Sequence, residues 1–354
     1  MRFLVFGTGA VGAWIGANLV MARQSVAFVG RPSFVAAVRE QGLRVALPGG
    51  ETWRLCDLEA GTTLDEVLQR ASAPFDAVLL CMKSFALDQA IAELRACADA
   101  LGAARLVAFQ NGIGNEAALA QAFGAQRVLA ATLTSPVSLD APAAVRLERS
   151  SGGVGLAALD AARASWSGIV HAMAGAPLLR ARAYADWQAM KWSKLLLNLM
   201  GNAASALLGL PPAAIYRDRR LFAVEMRALR EALAVMAAHD PPIRAVNLPG
   251  YPVRALALGV RHLPDALLQP LLAHLVARGR GNKLPSLYYD VAGRTGRSEV
   301  IVLNGAVADA GRRLGVPAPT NAALTAMMVR AAKAGNTLTR EDFIAACSGD
   351  LSTT

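Results

Sequence analysis

"RFLVF", residues 2–6, is a run of apolar residues too short for a helix and closed by glycine, the pattern of a buried strand. "GTGAVG" follows, and "AVGAWIGANLVMA" then carries a helical pattern. "SVAFV", residues 25–29, is a second short apolar run, so a strand–turn–helix–strand unit is complete within thirty residues. "FDAVLLCM" and "RLVAF" predict two further buried strands. From about residue 129 to 179 the pattern gives short strands ("VRLE", "GVGLAAL" and a last one, "PLLRA") and a helix near residues 161–174. These are expected to extend the same sheet, with His171 a surface or helix-end histidine.

From about Tyr184 the strand signals stop. "DWQAMKWSKLLLNLMGNAASALLG" predicts one long helix ended by Gly209, Pro211 and Pro212. A helix over about 221–238, the Pro-rich excursion "HDPPIRAVNLPGYPV", and a helix through "DALLQPLLAHLVARG" containing Pro270 come next. "EVIVLNGAVADAGRRLG" is expected to be an apolar helix led by Glu299, and "AALTAMMVRAAKAG" the final helix. The predicted fold is therefore an α/β Rossmann-type domain over residues 1–183 and an all-helical domain over residues 184–354, with a second site in the cleft between them.

The first turn carries chemistry. Gly7 permits a tight turn, Gly9 lets a backbone approach a pyrophosphate, and Gly12 allows close packing of helix on strand. Thr8, Ala10 and Val11 complete a loop whose helix N-terminus presents N–H groups to phosphate. The end of the second strand reads "VGRP", and no acidic residue lies between residues 25 and 39. Arg31 there suits the 2′-phosphate of NADP, whereas an acidic residue would suit the ribose of NAD; an ordinary surface arginine is the alternative. Lys83 and the pair Gln110–Asn111 end two later strands, where open parallel sheets bind ligands. A solvated loop lysine and plain turn chemistry at Asn111–Gly112 are their other readings.

Composition sharpens one point. Of 36 basic residues only five are lysines (Lys83, Lys191, Lys194, Lys283, Lys333), and two of these fall in "KWSKLLLN". Lys194, Asn198 and Asn202 stand at i, i+4 and i+8 of the predicted long helix, a polar stripe among leucine, methionine and alanine. Buried without partners they would cost several kcal/mol, so they face water, an interhelical hydrogen-bond seam or a substrate. Lys191 reads as a solvated helix charge or a rim contact for anions. In "NKLPSLYYDVAGRTGRSEVIVLNG", Pro285 and Ser286 open a helix whose first turn Asp290 supports, and Ser298 is a natural N-cap beside Glu299. Asn304–Gly305 indicates close packing.

The net charge of +10 comes from scattered arginines without basic–aromatic runs, which argues against a nucleic-acid groove. Cys56, Cys81, Cys97 and Cys347 have no metal-ligand spacing, so reduced thiols in a cytoplasmic protein and no metal are expected. No signal peptide is expected before the first strand, and the polar residues inside "LLLNLMGNAASALLGL" favour a buried helix over a membrane span.

"GTGAVG", Lys83 after its strand, "QNGIG", "KLLLN" and "PSLYYD…RSEVIVLNGAV", in this order over nearly the whole chain, resemble the ketopantoate reductase (2-dehydropantoate 2-reductase) family. The resemblance implies an NADPH-dependent reductase of ketopantoate on the route to pantothenate. It implies Gly7, Gly9 and Gly12 at the pyrophosphate, Arg31 at the 2′-phosphate, and Lys83, Gln110 and Asn111 around cofactor and substrate. Lys194 matches the catalytic lysine, Asn198, Asn202 and Ser286 substrate-binding positions, and Glu299 the acidic partner near the ribose and the reacting centre. The implied partners are a small 2-oxo acid and a second copy in a homodimer, with no nucleic acid and no membrane. The Pro-rich stretch 240–264 and the connection 290–299 depart from compact members and leave substrate identity open.

Reducing a 2-oxo acid requires a proton for the nascent alkoxide. His171, His239, His262 and His274 sit in none of these motifs, which leaves a partly desolvated Lys194 as the expected donor, a task arginine performs poorly. Glu299 would orient Lys194 or the substrate. The same chemistry on another 2-oxo acid or ketone is the nearest alternative, and a non-catalytic NADP-binding regulator a more distant one. Opine-type and 3-hydroxyacid dehydrogenases share the architecture, but a lysine with a Ser–Glu site fits them less well.

Overall fold

The structure, a computed structural model, describes residues 1–160, 166–280, 284–294 and 296–348. Residues 161–165 of the expected helix, Lys283 and Thr295 lie outside the described residues. The chain forms two compact units: Met1–Gln110 with Gly114–Lys191 and Leu248–Tyr251, and Asn111–Ile113 with Trp192–Asn247 and Pro252–Thr354.

The first unit holds all the named strands. These are β1 (Arg2–Phe6), β2 (Ser25–Val29), β3 (Leu43–Ala46), β4 (Thr52–Leu55), β5 (Glu59–Gly61) and β6 (Ala77–Leu80). They continue with β7 (Arg105–Ala108), β8 (Val128–Leu133), β9 (Val137–Ala141), β10 (Ala144–Leu147), β11 (Val154–Ala158) and β12 (Arg182–Ala183). The main sheet has the order β12-β11-β8-β7-β6-β1-β2-β5, parallel from β5 to β8, with β11 antiparallel to β8. Successive residues of β1 enter opposite cores: Phe3 and Val5 pack with Phe28, Leu79 and Val107, and Leu4 with Val29, Val78 and Leu80. Burial on both faces is why these strands read as unbroken apolar runs.

The chain moves outward from β1 to β2 and β5, then returns to β6 on the other side of β1. The strand order therefore reverses between β1 and β6, whose carboxyl ends lead into the glycine loop and Lys83. Two expectations for residues 129–179 change. "VRLE" supplies β10, which joins a separate four-stranded sheet, β4-β3-β10-β9. "PLLRA" is no strand; the sheet's edge strand is Arg182–Ala183, just after it. The described helix of this stretch is Ser167–Ala174, with His171 exposed on it.

The second unit is helical. The expected long helix is two: Trp187–Leu199, whose first turn belongs to the first unit, and Ala203–Leu208. Gly201, at φ +60°, breaks it, and Glu225 Oε2 accepts its N–H at 2.6 Å. The helices Pro212–Arg217 and Arg219–Ala237 follow. Val253–His262 is a helix inside the stretch read as a Pro-rich excursion, framed by Pro252 and Pro264. Asp265–Arg280, Ser286–Ala292, Asn304–Leu314, Pro319–Ala334 and a further helix, Arg340–Ser348, complete the unit. Glu299 does not lead an α-helix: Glu299–Val302 is a 3-10 turn, and the backbone breaks at Leu303 before the next helix.

Between these helices the chain lends Leu248–Tyr251 to the first unit. There Pro249 O accepts from Thr134 Oγ1 at 2.8 Å, and a Cβ on Gly250 would stand 2.7 Å from Gly152 N. Among the described residues no helix is long and apolar enough to cross a membrane.

Candidate active site

In the first unit the glycine loop is built by close approach. Gly7 has φ +101°, and a Cβ there would stand 2.5 Å from Met82 N, on the chain leaving β6. A Cβ on Gly12 would stand 2.0 Å from Gly7 O, so the helix Ala10–Met21 lies directly on the turn. Gly9 differs: a Cβ there would meet nothing within 4 Å. Gly9 is the N-cap of that helix, without a side-chain capping bond and with no acidic residue in the first turn. Thr8, Ala10 and Val11 complete a cradle of open backbone at a helix N-terminus, which fits a dinucleotide's pyrophosphate.

The end of β2 closes on this loop, because a Cβ on Gly30 would stand 2.1 Å from Thr8 Oγ1. Arg31 follows directly, exposed, and among the described residues its side chain has no ion-pair partner. Lys83 is half-buried, 5.9 Å from the centre of the Phe85 ring. Gln110 is buried after β7, its Nε2 on Met82 Sδ at 3.1 Å.

Lys191 departs from expectation. It is 1% exposed, and its ammonium lies 2.7 Å from Glu116 Oε1, a carboxylate that is itself 0% exposed. Lys191 Nζ also donates to Gln110 O at 2.6 Å and Ala131 O at 3.3 Å. Neither a solvated charge nor a rim contact describes it. Leu195, one turn later, shares its helix face and is fully buried; that spacing was the available signal. Glu116, directly after "GIGN", is the residue the sequence reading passed over.

In the second unit the helix Trp187–Leu199 carries Lys194 and Asn198, both half-buried, one turn apart. Asn198 Nδ2 donates to Asn111 Oδ1 at 3.2 Å. The turn after Asn111 is packed closely, since a Cβ on Gly112 would stand 2.3 Å from Val302 O, which also accepts from Ile113 N at 2.9 Å. The polar stripe ends at the helix break. Asn202 lies beyond it, buried, as N-cap of Ala203–Leu208, and its Oδ1 accepts from Leu287 N at 3.4 Å. It thus ties itself to the first turn of Ser286–Ala292, where Pro285 is the N-cap and Ser286 is exposed.

Asp290 reaches beyond its own helix. Its Oδ2 accepts from Ser298 Oγ and Glu299 N, each at 3.1 Å, while Ser298 Oγ caps Val300 N as expected. Glu299 is thereby seated and buried at the start of its 3-10 turn. Asn304 is buried with Nδ2 on Asn321 Oδ1 at 3.0 Å, and Thr325 and Val300 O crowd Gly305, the close packing that this pair indicates.

Comparison with known proteins accounts for both units. Residues 3–160 match the family "Ketopantoate reductase PanE/ApbA", and residues 186–332 match its C-terminal counterpart. A 2-dehydropantoate 2-reductase of Halobacterium salinarum is 31% identical over 242 residues, which span 67% of this chain and 76% of that protein. The Pyrococcus horikoshii enzyme of the same name is 23% identical over 93% of this chain and 96% of its own. Among solved structures, a PanE/ApbA family ketopantoate reductase from Ralstonia eutropha superposes with a TM-score of 0.76 at 24% identity, covering 95% of this chain and 99% of that one. D-mandelate dehydrogenase with NADH and anilino(oxo)acetate also gives 0.76, at 18% identity and 95% and 100% coverage.

Proposed function

Because this chain belongs to the ketopantoate reductase family, an oxidoreductase family that uses a nicotinamide dinucleotide, we propose that it reduces 2-dehydropantoate to pantoate with NADPH, Lys194 being the proton donor. The observation that carries this reading is the open backbone cradle at Gly9 in a chain whose two halves both match one family. NADPH, when bound, supplies the hydride for the 2-oxo carbon.

The chain's own residues do the rest. Gly7–Gly12 offer N–H groups to the pyrophosphate, and Arg31 pairs with the 2′-phosphate. Lys83 and Gln110 complete the cofactor contacts. Lys194 Nζ gives a proton to the carbonyl oxygen and offsets the negative charge that develops there. Asn111, Asn198, Asn202 and Ser286 orient the substrate's carboxylate and hydroxyl. Glu299, held through its backbone by Asp290, orients Lys194 or the substrate and lies near the ribose. A homodimer is part of this reading; its support is the row of exposed leucines 267, 271 and 275 on Asp265–Arg280, beside the buried Leu268, Leu272 and Val276.

The test is NADPH oxidation against a panel of 2-oxo acids. Ketopantoate is expected to have the highest kcat/KM; no turnover with any member sinks the proposal. A second reading, reduction of a bulkier 2-oxo acid, is supported by the equal structural likeness to D-mandelate dehydrogenase and by the helix Val253–His262. Preference for an aromatic 2-oxo acid in the same panel would select it.

A further inference from the structure

We propose that the buried pair Lys191–Glu116 is a positioning device for the reaction, fixing the two stretches of chain that carry Asn111 and Lys194. The inference rests on the reading of those two residues given above. Lys191 reaches three stretches of chain: it donates to Gln110 O after β7 and to Ala131 O within β8, and it forms an ion pair with the carboxylate of Glu116 in the helix Asn115–Phe123. Gln110 O belongs to the peptide that joins Gln110 to Asn111, so the 2.6 Å bond from Lys191 holds the peptide plane from which Asn111 projects. Lys191 itself lies one helical turn before Lys194. Gln110 and Lys191 are, moreover, each the last residue of a stretch of the first unit. One ammonium therefore anchors both points at which the chain goes on to a site residue.

Stability alone gives a poor account of this pair. Both charges are removed from water, and beyond the ion pair neither carboxylate oxygen of Glu116 has a hydrogen-bond partner among the described residues. Buried ion pairs of this kind are often replaced by apolar side chains without loss of stability. What apolar side chains would not reproduce is the directed bond to Gln110 O. Positioning is also where small errors cost most, since a displacement of about 1 Å in a reacting group can lower turnover about a hundredfold.

The experiment compares the whole wild-type chain with the double variant Lys191→Met/Glu116→Leu, using NADPH and the 2-oxo acid that the wild type reduces fastest. The double variant is expected to fold and to bind NADPH within about threefold of wild type, with kcat at least about tenfold lower. Introduced into Lys194→Ala, the same pair of changes is expected to lower the residual kcat by clearly less than it does in the wild type, because only Asn111 is then left to position. An unchanged kcat in the double variant overturns the inference, as does an effect that simply multiplies with that of Lys194→Ala. A double variant that cannot fold also overturns it, because the pair is then a folding determinant. A wild type that reduces no 2-oxo acid instead removes the functional reading, and the inference with it.

Discussion

The N–H of Gly201 donates to Glu225 Oε2 at 2.6 Å, and this bond sits at the place where an unbroken run of helix-forming residues stops being one helix. Glu225 is buried and also accepts from Tyr216 Oη at 3.2 Å. The break turns Asn202 out of line with Lys194 and Asn198 and onto the helix that begins at Ser286.

Replacing Glu225 with leucine leaves the Gly201 N–H and the Tyr216 hydroxyl buried without their acceptor, at a cost of about 2–4 kcal/mol. Gly201→Ala meets the left-handed backbone and Pro212 Cβ at 3.0 Å, and costs about 1–3 kcal/mol. Both appear as a lower urea midpoint. A midpoint unchanged in Glu225→Leu means that the bond does not hold the break.

Lys194→Ala is expected to lower kcat by about a hundredfold or more while NADPH binding stays near normal. Lys194→Arg keeps the charge but not a transferable proton, and is expected to restore little. Stopped-flow turnover and fluorescence titration of NADPH separate the two quantities. Near-normal turnover in either variant removes Lys194 as the donor.

Asp290→Ala withdraws one acceptor from both Ser298 Oγ and Glu299 N. The buried Glu299 N–H then lacks its partner, which costs about 1–3 kcal/mol and loosens the turn that seats Glu299. Activity at 25 °C is expected to fall about tenfold, and Asp290→Asn, which keeps an oxygen acceptor, to fall less. Equal activity in Asp290→Ala and wild type would separate Glu299 from the reaction.

What was legible in the sequence was what local pattern encodes. β1 and β2 could be bounded to the residue because both faces are buried and the runs end in glycine. The turn at Gly7, the N-cap at Ser298 and the start at Pro285–Ser286 are likewise set by their own residue types. What was hidden depends on partners far along the chain. Gly201 looks like a tolerated helix glycine until Glu225 is placed, and Lys191 looks solvated until Gln110 O, 81 residues away, is brought to it. The strands near residue 145 were legible as strands, but their sheet was not, because a parallel pairing with β3, far earlier in the chain, leaves no local trace.

The thiols should differ in reactivity. Cys56 is exposed, whereas burial pushes the Cys347 thiol up to about 12. Cys97 is raised too, chiefly by burial and further by Asp65 and Glu93. A thiol whose pKa is raised holds little thiolate at pH 8, so brief alkylation there should label Cys56 ahead of Cys97 and Cys347. Peptide mass spectrometry that finds Cys347 labelled first contradicts its burial.

Arg31 tests the choice of cofactor. It stands beyond β2, exposed, one residue after the glycine that packs on Thr8, and no acidic side chain occupies the neighbouring positions. A guanidinium there can pair with a 2′-phosphate but gives a ribose hydroxyl little by comparison. Hydrogen bonds to charged groups contribute about 1.5–3 kcal/mol, so Arg31→Ala is expected to weaken NADPH about 10- to 100-fold and NADH less than about threefold. Arg31→Asp adds repulsion toward the phosphate and should carry the preference over to NADH. Both affinities are read by fluorescence titration on the same preparations. An equal loss for the two cofactors would make Arg31 a bystander and leave NADH as good a candidate as NADPH.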